Sequence, residues 1–392
     1  MKNEMSNPAN EFNPALHNIP ALDGVRGVAI ILVLIVHAYY RGPDLDAGPF
    51  ARSLFIFGWT GVELFFVLSG FLITSILLRE YGQDAALKRF WAHRAARIMP
   101  LYFAILLVFF LVSFLPLPAK AELPFTNLRE QIWVYLLYLS NFGDLLGFDT
   151  EEANKLLGPV WSLAVEAHYY LAWPLVVLTL GRLRARAVLL IAYIASVVAR
   201  YFYASDATAL IVYHTTFLHF DGIAIGSLVA LWLPELVILR RYWGLAFWIV
   251  AGSMIAVFLA AGTTHYSSPT VEKYGYVLIA ISYAFFVLSV LNSRLLSKLF
   301  GTQILRSMGK YSYFIYLFHG PFLMALSQLN LASGFLSWMV FFVGYTVASY
   351  MAGTVSWKLL EKPASVWIKS LFEPTTSRGV GTKNAAADDG AR

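Results

Sequence analysis

The 392-residue chain has no cysteine and little charge, with only 13% of its residues Asp, Glu, Lys or Arg, whereas a soluble domain carries roughly 25%. The absent thiol excludes disulfides, thiolate nucleophiles and cysteine-ligated metals together. The shortage of charge excludes a soluble globular fold, because 59% of the residues are hydrophobic and 16% aromatic. Internal repeats are also lacking, which argues against a transporter assembled from duplicated halves. The first twenty residues hold no apolar run followed by a small-residue cleavage site, so a cleaved leader is not expected and the first apolar segment targets the chain itself. A formal net charge of +6 raises the possibility of nucleic acid. The basic residues, however, sit in short loops beside apolar runs, where the positive-inside bias accounts for them.

What is present is a series of apolar windows about 18 residues or more in length, each able to cross a bilayer as a helix. They fall at Ala21–Tyr40, Phe55–Leu78, Ile98–Leu115, Pro159–Leu180, Arg186–Tyr203, His214–Leu233, Trp243–Gly262, Tyr274–Leu291, Tyr311–Leu329 and Phe335–Trp357. Gln131–Leu146 is shorter and is interrupted by Asn141, Gly143 and Asp144. If it does not cross, 21 of the 29 basic residues lie on the side of the N-terminus and six on the other. That asymmetry predicts an all-α polytopic bundle of ten transmembrane helices with both termini cytoplasmic. The expected organisation is a tail over residues 1–20, a membrane domain over 21–363 and a polar tail over 364–392 that is partly disordered. Gln131–Leu146 is then re-entrant or interfacial, inside an outer loop that carries Asp144, Asp149, Glu151 and Glu152 and is suited to shaping an acceptor site.

Charges inside apolar windows are costly, at roughly 2.5 to 3.5 kcal/mol each on insertion scales, and so mark functional candidates. The first window holds Asp23, Arg26 and His37. At about 100° per residue, eleven steps leave Arg26 and His37 on one face, about 16 Å apart along the axis. Counting depth along the other windows places Glu63, Glu166 and Asp221 in the outer half with His37, and His319 near mid-depth on a stripe with Ser312 and Tyr316. A shared hydrated cavity is the economical expectation, because a lone buried carboxylate is expensive. His168 is rotated away from Glu166, His17, His93 and His265 read as surface residues, and His214 and His219 as span ends. On the inner side Arg94 and Arg97 stand at i, i+3, a spacing whose bidentate guanidinium groups suit phosphate. The plain alternatives are snorkelling topology charges, lipid-headgroup contacts and interhelical hydrogen bonds.

LDGVRG followed by His37, then GVELFFVLSGFLI, RAAR, WSLAVE, FDGIAIG, YSYFIYLFHGP and LLEKP occur in that order along nearly the whole chain. In this the sequence resembles the acyltransferase 3 family of integral membrane O-acyltransferases. The resemblance implies about ten helices in the bacterial inner (cytoplasmic) membrane. It implies transfer of an acyl group, commonly acetyl, from acyl-CoA as co-substrate to a hydroxyl of an extracytoplasmic glycan. Macrolide-type natural products are an alternative acceptor. Arg26 and His37 correspond to the family's Arg-to-His pair, and Arg94 and Arg97 to its cytoplasmic arginine motif. Some members carry an SGNH hydrolase-like domain, for which this sequence has only a short tail, so it is expected to act alone or to pass the acyl group to a separate protein.

The expected mechanism has acyl-CoA phosphates on Arg94, Arg97 and Arg26. His37 acts as general base on the acceptor hydroxyl, held by a carboxylate such as Glu63 or Glu166. Asp221 and His319 complete the catalytic candidates. An acyl intermediate on His37, Ser69 or Ser162 is a further possibility. No metal and no nucleic acid are expected; lipids, acyl-CoA and a carbohydrate or glycolipid acceptor are the expected partners. The competing function is a proton-coupled exporter of a sugar or small molecule, which also needs intramembrane His and carboxylates.

Overall fold

The structure is a computed structural model that describes residues 19–45, 48–116, 119–326, 329 and 331–372. The described residues form an all-α bundle without strands. Nine helices organise it: α1 (Pro20–Arg41), α2 (Pro49–Glu80), α3 (Ala86–Val112), α4 (Val160–Tyr203), α5 (Asp221–Leu231), α6 (Leu233–Ala261), α7 (Val271–Asn292), α8 (Gln303–Leu326) and α9 (Phe335–Phe372). Gly181, at φ +72°, breaks α4 into two arms, so each of the ten apolar windows contains helix. Six helices, α1, α2, α3, α6, α7 and α9, are long and apolar enough to cross a membrane. Residues 1–18 and 373–392 of the two expected tails lie outside the described residues, while 364–372 form the end of α9.

Glycines set the closest packing. A Cβ at Gly24 of α1 would stand 1.6 Å from the Phe300 carbonyl oxygen, and one at Gly309 of α8 would stand 1.8 Å from that of Asp23. Helices lacking side chains at these points approach backbone to backbone, which is how apolar helices associate where lipid removes the hydrophobic drive. Gly24 therefore seats α1 against the end of the short helix Arg294–Phe300, Gly27 and Gly309 seat α1 against α8, and Gly70 and Gly226 seat α2 against α5 in the same way.

Three boundaries differ from expectation. The Arg94/Arg97 segment is not a loop but the opening turns of α3, which runs unbroken through Pro100. Between its two end residues, His214–Leu233 is helical only over the 11 residues of α5 in its second half. Residues 215–220 can leave the helix because side chains satisfy their surroundings: Arg200 Nη1 donates to the Leu218 carbonyl at 2.7 Å, and His219 Nδ1 donates to that of Tyr213 at 2.6 Å. Non-helical backbone at depth is tolerated when it is buried in protein. The 132–157 region is a run of short helical turns folded into the bundle, with Val134, Tyr135, Ala153 and Leu156 fully buried. Asn127 pins it, donating to the Asp149 carbonyl at 3.0 Å and accepting from the Ala153 amide at 2.9 Å.

Candidate active site

His37 lies in the last two turns of α1, partly exposed, and its Nδ1 is 2.9 Å from the Val33 carbonyl oxygen. A carbonyl only accepts, so Nδ1 carries the proton in that bond and Nε2 is left with its lone pair. The ring stands edge-on to His319 of α8, with centroids 4.5 Å apart. His319 is fully buried and repeats the arrangement: Nδ1 donates to the Tyr316 carbonyl at 2.7 Å, and Nε2 has no hydrogen-bond partner among the described residues. The Tyr316 ring is 5.8 Å from that of His319, and its hydroxyl is 2.6 Å from Ser162 Oγ. Ser162 spends its own proton on the Pro159 carbonyl at 3.0 Å, so Tyr316 is the donor to Ser162.

Tyr316 and Ser162 also line a cavity, about 790 Å³ of empty space with its open mouth included, whose other polar walls include Arg26, Arg94, Arg97, Ser69 and Glu166. Ser69 of α2 donates to Glu166 Oε1. Arg26 is held by Asp23, one turn away at 3.0 Å. Arg26, Arg94 and Arg97 form a boundary, because they also line a second, wider cleft of about 2040 Å³ at the same end of the bundle. The three predicted phosphate-binding arginines are thus brought together from α1 and α3.

The three carboxylates do not gather around His37. Glu63 of α2 faces His219, with Oε1 2.6 Å from Nε2 and both side chains fully buried. Asp221 at the start of α5 is clamped by Arg200 of α4, whose Nη2 donates to Oδ1 at 2.8 Å, and Tyr193 OH donates to the same oxygen at 3.1 Å. Glu166 lies with the arginines and Ser69, not with the histidines. Depth counting along an isolated helix could not show this partnership, because it gives neither the face Glu166 presents nor what packs against that face. No ion pair joins His37 to a carboxylate among the described residues, so the expected carboxylate partner is replaced by His319.

His219 and Arg200 were missed as partners. His219 reads as a span end in sequence, yet it is fully buried, its ring stacked 4.4 Å from Tyr276. Arg200 carries an available signal: it is a charge inside an apolar window, and such a charge needs a counter-ion. The other histidines among the described residues lie away from the His37–His319 pair. His168 Nδ1 is 3.0 Å from Thr216 Oγ1. His214 donates to Asp144 Oδ2 at 2.6 Å and holds that loop carboxyl below its ordinary value of 3.8. His93 sits in α3 and lines the wider cleft.

Residues 19–357 match the family model described as an acyltransferase domain. The chain belongs to the acyltransferase 3 family. It is similar to the peptidoglycan O-acetyltransferase OatA of Listeria monocytogenes, 26% identical over 370 residues that cover 88% of this chain and 55% of that protein. It is also similar to the O-acetyltransferase OatA of Staphylococcus aureus, 27% identical over 368 residues that cover 88% of this chain and 57% of that one. The chain thus spans a little over half the length of these curated relatives. No solved structure matches it. Together with the apolar helices, the membership makes this a multi-pass membrane protein of an acyltransferase family.

Proposed function

We propose that this protein is a membrane O-acetyltransferase that moves an acetyl group from cytoplasmic acetyl-CoA to a hydroxyl of a cell-wall glycan, in the bacterial cytoplasmic membrane. The observation that carries the reading is the cavity bounded by Arg26, Arg94 and Arg97 at one end and reaching Tyr316, beside the His319 and His37 rings, at the other. Three guanidinium groups fit the phosphates of a CoA thioester. The relatives' printed activity supports acetyl as the group moved, and the printed peptidoglycan of the Listeria protein supports the acceptor class.

His37 Nε2, free because Nδ1–H is committed to Val33, takes the proton of the acceptor hydroxyl. The alkoxide oxygen bonds to the thioester carbonyl carbon, the carbon–sulfur bond breaks, and the proton passes from imidazolium to the departing thiolate, giving ester and free CoA. His319 orients the His37 ring by edge contact. A second route is favoured by one contact: Ser69 donates to Glu166 inside the arginine-bounded cavity, a nucleophile and base pairing that would carry a transient acyl-Ser69.

The purified protein in vesicles, given labelled acetyl-CoA and a glycan acceptor, should place label on the acceptor, and a folded His37→Ala variant should not. Wild-type transfer by that variant overturns the assignment of the base. Label on the protein after quenching, lost in Ser69→Ala, selects the covalent route. Acceptor transport without acyl transfer would instead select an exporter.

A further inference from the structure

The wider cleft beyond the arginine boundary is built from more cations than docking at Arg94 and Arg97 requires. It is lined by six cationic side chains, Arg26, Arg94, Arg97, Arg306, Lys310 and Lys369, against the carboxylates of Asp23 and Glu361. Both carboxylates are engaged, since Asp23 binds Arg26 and Glu361 accepts from Ser356 Oγ at 2.9 Å. Arg306 and Lys310 stand at i, i+4 on the first turns of α8, and Lys369 faces them from the end of α9. None of these three has an ion-pair partner among the described residues. Lys310 lies instead against the rings of Tyr311 and Trp357, at 5.4 and 5.2 Å from their centroids. The N-terminal turn of α8 opens on the same space through Gln303 and Ser307, and its dipole adds to the attraction for an anion.

Cations crowded in a concave site repel one another unless a polyanion completes them. A CoA thioester carries about four negative charges, in two separated groups, the diphosphate and the ribose 3′-phosphate. We propose that the wall formed by Arg306, Lys310 and Lys369 binds the 3′-phosphate, while Arg94 and Arg97 on the facing α3 wall take the diphosphate and admit the thioester arm to the inner cavity. This rests on the acyl-CoA reading above and assigns a separate part of the donor to residues outside the arginine motif. A phosphomonoester lipid headgroup has the same chemistry, so the donor and the lipid must be tested apart.

The experiment is donor kinetics of the full chain in vesicles with acetyl-CoA and with its 3′-dephospho form, for the wild type, Arg306→Gln, Lys369→Gln and the double variant. The wild type should show a KM about tenfold lower for acetyl-CoA than for the dephospho donor, as expected for charge-assisted bonds to one phosphate. The double variant should lose that preference, its KM for acetyl-CoA rising to the dephospho value. Equal preference in wild type and double variant overturns the assignment, as does a wild type indifferent to the 3′-phosphate. Effects that appear only with anionic lipid in the vesicles, and equally for both donors, give the wall to headgroups and also overturn it. A wild type that transfers label from neither donor fails the acyltransferase reading itself, and this proposal with it.

Discussion

His37 donates Nδ1–H to the Val33 carbonyl, and His219 donates its own to that of Tyr213. The two imidazoles thus begin from the same tautomer and differ in what faces Nε2. His219 meets the Glu63 carboxylate at 2.6 Å with both partners sealed from solvent. That contact is closed to solvent on both sides. His37 meets the uncharged edge of His319 and remains partly exposed. The contrast separates a histidine that faces a buried carboxylate from one that meets no carboxylate among the described residues and that, in the function proposed above, has a lone pair to use. Arg200–Asp221 is likewise a buried pair, and Arg200 also donates to the Leu218 carbonyl within the non-helical residues 215–220.

The largest expected effects come from exchanging loss of function for loss of fold. His37→Ala should cut acyl transfer by about 10²- to 10⁴-fold, the contribution of a positioned base, with the thermal unfolding midpoint in detergent nearly unchanged. Glu63→Ala should do the reverse. It leaves His219 buried without its carboxylate partner, at a cost of about 3 to 5 kcal/mol, and lowers the unfolding midpoint accordingly. If Glu63→Ala instead abolishes transfer in a protein as stable as the wild type, the comparison is broken.

Asp221→Leu should destabilise by about 3 to 5 kcal/mol as well, and adding Arg200→Met should restore much of the loss, because an apolar pair replaces a buried ion pair better than half of one does. A double variant no more stable than Asp221→Leu would mean that Arg200 has work beyond the pair. Gly309→Ala tests the seat on which His37 and His319 meet. Its methyl would press on the Asp23 carbonyl oxygen, so α1 and α8 must part, at a cost of about 1 to 3 kcal/mol by overpacking. Transfer should fall more than stability, because the two rings separate, and it can be read from labelled product per folded molecule.

The smallest effect belongs to the surface pair that resembles Glu63–His219 in composition but not in burial. The bond from His214 depresses the Asp144 pKa below 3.8 in the folded state. Its stabilisation is therefore complete above that value and is lost as pH falls through the depressed pKa. Asp144 is exposed and screened, so Asp144→Asn should cost less than about 1 kcal/mol near neutral pH. The difference from wild type should vanish in acid unfolding scans.

The bundle, its apolar windows and the arginine end were legible from sequence because hydropathy, loop charge and i, i+3 spacing are local properties carried by contiguous residues. The glycines of LDGVRG were legible as a motif, but their purpose, contact with Phe300 and Leu305 backbone nearly 300 residues away, was not. Depth counted along isolated helices put Glu63, Glu166 and Asp221 at one level with His37, and that reasoning could not see azimuth or buried loops. Sequence by itself therefore determined which charges the membrane domain must accommodate. Tertiary structure decided how they are paired: Glu63 with His219, Asp221 with Arg200, Glu166 with Ser69 and His37 with His319. A buried charge chooses its partner by which helix face turns toward it, and that rotation is set by close packing among helices remote in the chain.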